Sequence, residues 1–124
     1  MTPGNAAKRI SDLLHRLGVT ENYAGFSCAV CAVQLSMADF DRLRLITKLI
    51  YPEVAKQCRT TAQRVERNIR TVSDAAWKNN PSLLIHLAGY PLDCRPTNSR
   101  FLAILAGACS QDNHDTSEIK EQFQ

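Results

Sequence analysis

"PEVAKQCRTTAQRVERNIRTV", residues 52–72, decides how the chain is read. Its first six residues make a short amphipathic segment opened by Pro52, a residue that suits the first turn of a helix. About three residues further on a second apolar rhythm begins and runs to about Lys78. At 100° per residue, Ala62, Val65, Ile69, Val72 and Ala76 share one stripe that must face a core. Arg67 points away from that stripe, with Gln63, Arg64, Arg70, Thr71 and Asp74 within about 60° of it. The pattern predicts a short helix with Val54 and Ala55 inward, a tight turn, and a longer helix capped by Thr60 or Thr61. In a helix-turn-helix of this form the second helix enters the major groove by its amino-terminal half. The turn lacks the glycine often found there. Spacing alone therefore leaves two readings open, a DNA-contacting face and a solvated charged face.

Charge distribution bears on that choice. Residues 1–110 carry 14 Lys and Arg against 8 Asp and Glu, whereas 111–124 carry Lys120 against Asp112, Asp115, Glu118 and Glu121. The folded part is thus more basic than the net +3 of the whole chain, and the basic residues concentrate around the turn: Lys56, Arg59, Arg64, Arg67 and Arg70 against Glu66. Arginine pairs bidentately with guanine and glutamine with adenine, so the outward residue types suit DNA.

The rest of the chain reads as helices. Asn5 is a candidate cap for a helix carrying Ile10, Leu13, Leu14 and Leu17, closed by Gly18. A second helix is predicted from about Tyr23 to Met37, apolar over most of its surface and therefore central. A third, near Asp39 to Ile50, offers Phe40, Leu43, Ile46, Leu49 and Ile50 to one side. Asn80-Pro81 opens a helix that Gly89 stops, and Thr97 or Asn98 caps a last one through about Cys109. These make an all-α domain of six or seven helices over residues 1–110, followed by a flexible, acidic polar tail at 111–124. The 124 residues are enough for one core.

Other chemistries find little support. "CAVC", Cys28 to Cys31, lies mid-helix among alanines and valines, where buried core cysteine is the better reading than a redox pair. Cys58, Cys94, Cys109, His15, His86 and His114 offer no second ligand pair for zinc. Trp77 reads as a core anchor and His86 as a core-edge residue. No phosphate-cradling glycine loop, hydrolase nucleophile motif or paired carboxylates occur, so no enzyme, metal or cofactor is predicted. No apolar run approaches the roughly 18–20 residues needed to span a bilayer. "MTPGNAAKRI" lacks a signal-peptide core, and the five cysteines suggest no disulfide framework, which together predict a protein of a reducing cytoplasm.

"LITKLIYPEVAKQCRTTAQRVERNIRTVSDAAW", residues 45–77, together with "LLHRLGV" at 13–19 and "RPTNSRF" at 95–101, resembles the C-terminal effector domains of the stage zero sporulation protein A family. The likeness covers about residues 5–109. It implies a six-helix domain that regulates transcription by binding short boxes in the major groove of double-stranded DNA, often in tandem with neighbouring domains touching head to tail. Matched residue by residue, Glu66 and Arg67 stand at the base-reading pair, and Gln63 stands where the family carries a small polar residue. Arg64 and Arg70 match positive positions near the DNA backbone, and Lys56 and Arg59 flank the turn. Thr60, Thr61 and Thr71 complete the backbone set, with Arg95 and Arg100 as additional phosphate candidates. Glu66 has two readings: acceptor for a cytosine amino group or partner of Arg67, and ordinary ion pair with Arg70 four residues on.

Asn68, Thr71 and Arg100 depart from the residues common in the family, Arg100 at a position where a glutamate would complete a capping box after Thr97. Residues 75–87 align with a stretch that in the family engages an RNA polymerase sigma factor. That supports an alternative role as an interaction module, pairing or competing with a full-length regulator.

Overall fold

The computed structural model describes the backbone of residues 3–113 and the side chains of 5–110. In chain order the helices are α1 (Pro3–Arg16), α2 (Phe26–Ala38), a 3₁₀ segment (Phe40–Leu45), α3 (Ile46–Leu49), α4 (Tyr51–Cys58), α5 (Ala62–Asn79), α6 (Pro81–Ala88) and α7 (Asn98–Asn113). No strand occurs among the described residues, which form an all-α fold of seven α-helices and one 3₁₀ segment.

α2 is the axis around which α1, α4, α5 and α7 pack. Its sequence explains this, because it is apolar nearly all round and lined with small side chains that let neighbours approach. Ala29, Ala32 and Val33 are wholly buried, and the buried Ser36 hydroxyl donates to the Ala32 carbonyl at 2.8 Å, so no polar group is stranded there. Ile10, Leu14 and Leu17 from α1, Ile50 and Val54 around the start of α4, and Phe101, Leu102 and Leu105 from α7 complete the core.

The helix ends follow local chemistry. Thr61 Oγ1 accepts from the Arg64 amide at 3.1 Å, Asn80 Oδ1 from Leu83 at 3.2 Å, and Thr97 Oγ1 from Arg100 at 3.2 Å. The Thr97 cap forms although Arg100 replaces the capping-box carboxylate. Gly18 and Gly89 follow their helices at φ +89° and +80°.

Three boundaries differ from expectation. α1 starts at Pro3, ahead of Asn5. α2 starts at Phe26, because Gly25, at φ +97°, closes a turn through Tyr23 first. α7 runs to Asn113 rather than Cys109, so the acidic segment begins inside a helix. The remainder of that predicted tail, from His114 on, lies outside the described residues.

The largest difference is the predicted Asp39–Ile50 helix, which is a 3₁₀ segment and then the single turn α3. Asp39 accepts from the Asp41 amide to start the 3₁₀ run, and Leu45 leaves helical geometry at φ −132°, ψ 56°. A 3₁₀ helix turns 120° per residue, so an apolar stripe spaced for 100° drifts off the core. Ile50 is buried, Leu43 and Ile46 half-buried, and Phe40 and Leu49 are 47% and 42% exposed.

Candidate nucleic-acid interface

α4, the turn Arg59–Thr61 and α5 form the helix-turn-helix. Where a glycine is absent, Arg59 itself takes the left-handed conformation at φ 58°, ψ 51°. Its position is held by the amide of Thr60, which donates to the Ala55 carbonyl at 2.9 Å. A branched or bulky side chain makes this conformation cost about 1–2 kcal/mol, which the packing around Ala55 and Val54 must offset.

α5 is oriented as its periodicity requires. Val65, Ile69, Val72 and Ala76 are wholly buried, while Gln63, Arg64, Arg67, Arg70, Thr71 and Asp74 are exposed. Three sets of contacts fix the helix. Asn68 points inward, its Nδ2 3.7 Å from Cys28 Sγ, and its backbone lies against Gly25 of the α2 entry. Asn98, at the start of α7, donates from Nδ2 to the Tyr51 hydroxyl and to the Glu66 carbonyl, both at 3.0 Å. At the far end Asn79 donates to the Gly18 carbonyl at 2.8 Å and Asn80 to the Arg16 carbonyl at 2.9 Å. A recognition surface on so constrained a helix is pre-organised.

The candidate contacts divide into two sets. Lys56, Arg59, Arg64 and Arg67 are exposed and take part in no ion pair or hydrogen bond of their charged groups among the described residues. They cluster around the turn and the first two turns of α5. The other arginines are engaged. Arg70 pairs with Glu66, the intrahelical alternative foreseen for that glutamate. Arg95 Nε lies 2.5 Å from Asp74 Oδ1, and its Nη1 donates to the Pro96 carbonyl. Arg100 sits 5.6 Å from the Tyr90 ring centroid, against a depression formed by the 3₁₀ segment, α6 and α7. Thr61 uses an oxygen lone pair as the cap, which leaves its hydroxyl proton free to donate. Thr60 is half-buried and Thr71 exposed.

Two participants were not read from the sequence. Thr47, on α3, lines a depression with Tyr51, Ala62, Gln63 and Glu66 beside the start of α5. Asn98 tethers the middle of α5 from 32 residues away. The Tyr51 hydroxyl is pushed above its ordinary pKa by burial, against the opposing effect of the Asn98 hydrogen bond. The thiol of Cys58, one residue before Arg59, approaches Cys28 and Cys31 and is pushed up to about 11, chiefly by burial. Cys31 is likewise raised by burial, which disfavours its thiolate. Trp77, expected as a core anchor, is half-buried and packs against the core, whereas His86, expected at the core edge, is exposed.

A fixed helix with free cations at its leading end, behind a short helix and a tight turn, defines a DNA-binding domain of the helix-turn-helix class. Residues 10–109 match the family described as the sporulation initiation factor Spo0A C terminal, and the chain belongs to that family. It is accordingly a DNA-binding transcription-factor domain of sporulation, from a regulatory and not an enzymatic family. No helix among the described residues is long and apolar enough to cross a membrane.

Proposed function

We propose that the domain binds double-stranded DNA sequence-specifically, with the amino-terminal half of α5 in the major groove. Gln63, Glu66 and Arg67 read base edges, and Lys56, Arg59, Thr60, Thr61, Arg64, Arg70 and Thr71 hold the backbone. The observation that carries this reading is the unpaired set Lys56, Arg59, Arg64 and Arg67 gathered at the leading end of a helix fixed on its other sides. Arg70 and Glu66 stay together in the free protein, so Glu66 acts either on a cytosine amino group or by fixing its arginine neighbours. Arg95 and Arg100 contribute less, because Asp74 and Tyr90 already engage them.

The test is a titration of a duplex enriched by this protein from a random-sequence pool. Arg67→Ala should lose about 1–3 kcal/mol of binding free energy and relax preference at one base pair. The wild-type affinity should fall with salt, each phosphate contact adding about 0.9 to the log–log slope. A salt-insensitive complex, or an Arg67→Ala variant with unchanged affinity and preference, would refute the assignment.

A second reading, as a module that pairs or competes with a full-length regulator, is favoured by one feature. Phe40 and Tyr90, 47% and 41% exposed, border an apolar depression of about 310 Å³ with Leu87, Ile104 and Ala108, and no residue of α5 lines it. Contact with a sigma factor belongs to this reading, whereas head-to-tail contact between copies on tandem sites belongs to the DNA-binding one. Co-purification with the regulator in the absence of any duplex shift at low salt would select it.

A further inference from the structure

The depression between α3 and the start of α5 is the remaining feature of the reading end that no arginine explains. Its volume is about 340 Å³, and Thr47, Tyr51, Ala62, Gln63 and Glu66 line it. The Tyr51 side chain is buried and its hydroxyl is tied to Asn98, so that wall is fixed. Ala62 and Thr47 carry methyl groups at this lining, one on the first residue of α5 and one on α3, the turn packed against α4. Gln63 and Glu66, at the polar edge, carry an amide and a carboxylate.

This chemistry discriminates between the groups a duplex presents. A phosphate is disfavoured, because the only charged residue lining the depression is the carboxylate of Glu66. A base edge is favoured, since Gln63 can bond adenine and Glu66 a cytosine amino group. In the major groove the apolar group beside those edges is the thymine 5-methyl, which alanine and the threonine methyl group contact. We propose that this depression receives the 5-methyl of a thymine, making Thr47 a specificity-determining residue contributed from outside the helix-turn-helix. The inference rests on the DNA-binding reading above and adds a subsite to it.

The test uses the same enriched duplex, with each thymine replaced in turn by deoxyuridine and affinity measured by fluorescence anisotropy. Burying one methyl group is worth about 0.8 kcal/mol, or roughly fourfold in affinity. One position should therefore show a loss of about fourfold, with the others near unity. Thr47→Ser, which removes only a methyl from an exposed side chain, should bring that ratio down to about twofold or less. Thr47→Val, which keeps it, should preserve the ratio. Circular dichroism melts of both variants should match the wild type.

Equal tolerance of uracil at every position, a required site without thymine, or a ratio unchanged in Thr47→Ser overturns the subsite while leaving DNA binding intact. Failure to enrich any duplex overturns both.

Discussion

Gly25 gives the sharpest test of how the recognition helix is held. It has φ +97°, and a methyl group built on it would stand 2.6 Å from Asn68 Cβ and 2.7 Å from the Asn68 carbonyl oxygen. Gly25→Ala thus meets two penalties. The left-handed backbone costs an L-residue about 1–2 kcal/mol, and forcing a methyl into a packed contact about 1–3 kcal/mol. Asn68 cannot recede cheaply, because the contact includes its backbone and its neighbour Ile69 is wholly buried. Loss of unfolded-state freedom returns roughly 0.4–1 kcal/mol.

The net expectation is a loss of about 2–4 kcal/mol, or a fall in Tm of roughly 8–20 °C for a domain of this size. Two other glycines separate the causes. Gly89, at φ +80° with nothing within 4 Å of a built methyl, should lose only the backbone part on Gly89→Ala, about 0.5–1.5 kcal/mol. Gly107, inside α7 and also unobstructed, should gain up to about 1 kcal/mol on Gly107→Ala. Urea denaturation of the three variants reads the series directly. If Gly25→Ala costs no more than Gly89→Ala, the close approach of α2 to α5 is not what fixes the helix, and the reasoning fails.

Arg59→Gly should move two measurements in opposite directions: stability rises by about 0.5–1 kcal/mol as the left-handed strain is relieved, and the salt slope of DNA binding falls by about 0.9 as one phosphate contact goes. Loss of stability in that variant would mean the Arg59 conformation is not strained. Asn98→Ala removes donors to the buried Tyr51 hydroxyl and to the Glu66 carbonyl, and should cost about 1–3 kcal/mol in chemical denaturation. Cys58 makes a pH prediction. Its thiol has an ordinary value of 9.0 and is raised to about 11 in the fold. Between those values the unfolded chain has lost a proton that the folded chain retains, so stability is full below pH 9 and declines as pH rises toward 11. Cys31 and Tyr51 are shifted the same way, so Cys58→Ser should reduce the decline between pH 9 and 10.5 without abolishing it. Parallel pH profiles for the two proteins would refute that origin.

What could be read from the sequence was whatever depends on neighbours along the chain. The buried stripe of α5 follows from a 100° turn and needs no knowledge of its partners, and Val65, Ile69 and Val72 are all wholly buried. The caps at Thr61, Asn80 and Thr97 are three-residue events, and the Glu66–Arg70 pair is a four-residue one. Contacts between distant segments left no such trace. Asp74 and Arg95 are 21 positions apart, Asn98 and Tyr51 are 47, and the wall that Thr47 adds beside the start of α5 is visible only once α3 and α5 both pack against α4. The 3₁₀ segment failed for a different reason. "FDRLRL" carries apolar residues at helical spacing, and the signal that separates 120° from 100° per turn step is the Asp39 cap on Asp41, a short-range feature that also fits an α-helix start.

The distribution of charge along α5 matches the way such a helix meets a duplex. A recognition helix inserted by its amino-terminal half leaves its later turns withdrawn from the groove. Free cations are useful near the phosphates, and beyond that region they add only self-repulsion. Arg64 and Arg67, in the first two turns, have no acidic partner among the described residues. In the third and fourth turns Arg70 is matched by Glu66 behind it and Asp74 by Arg95 from the loop before α7, and Lys78 stands alone among the described residues at the far end. The arrangement also divides the work within the exposed face. In the proposed complex Arg67 would be free to change rotamer and follow a base edge, whereas Arg70, held by a carboxylate, would present a fixed donor.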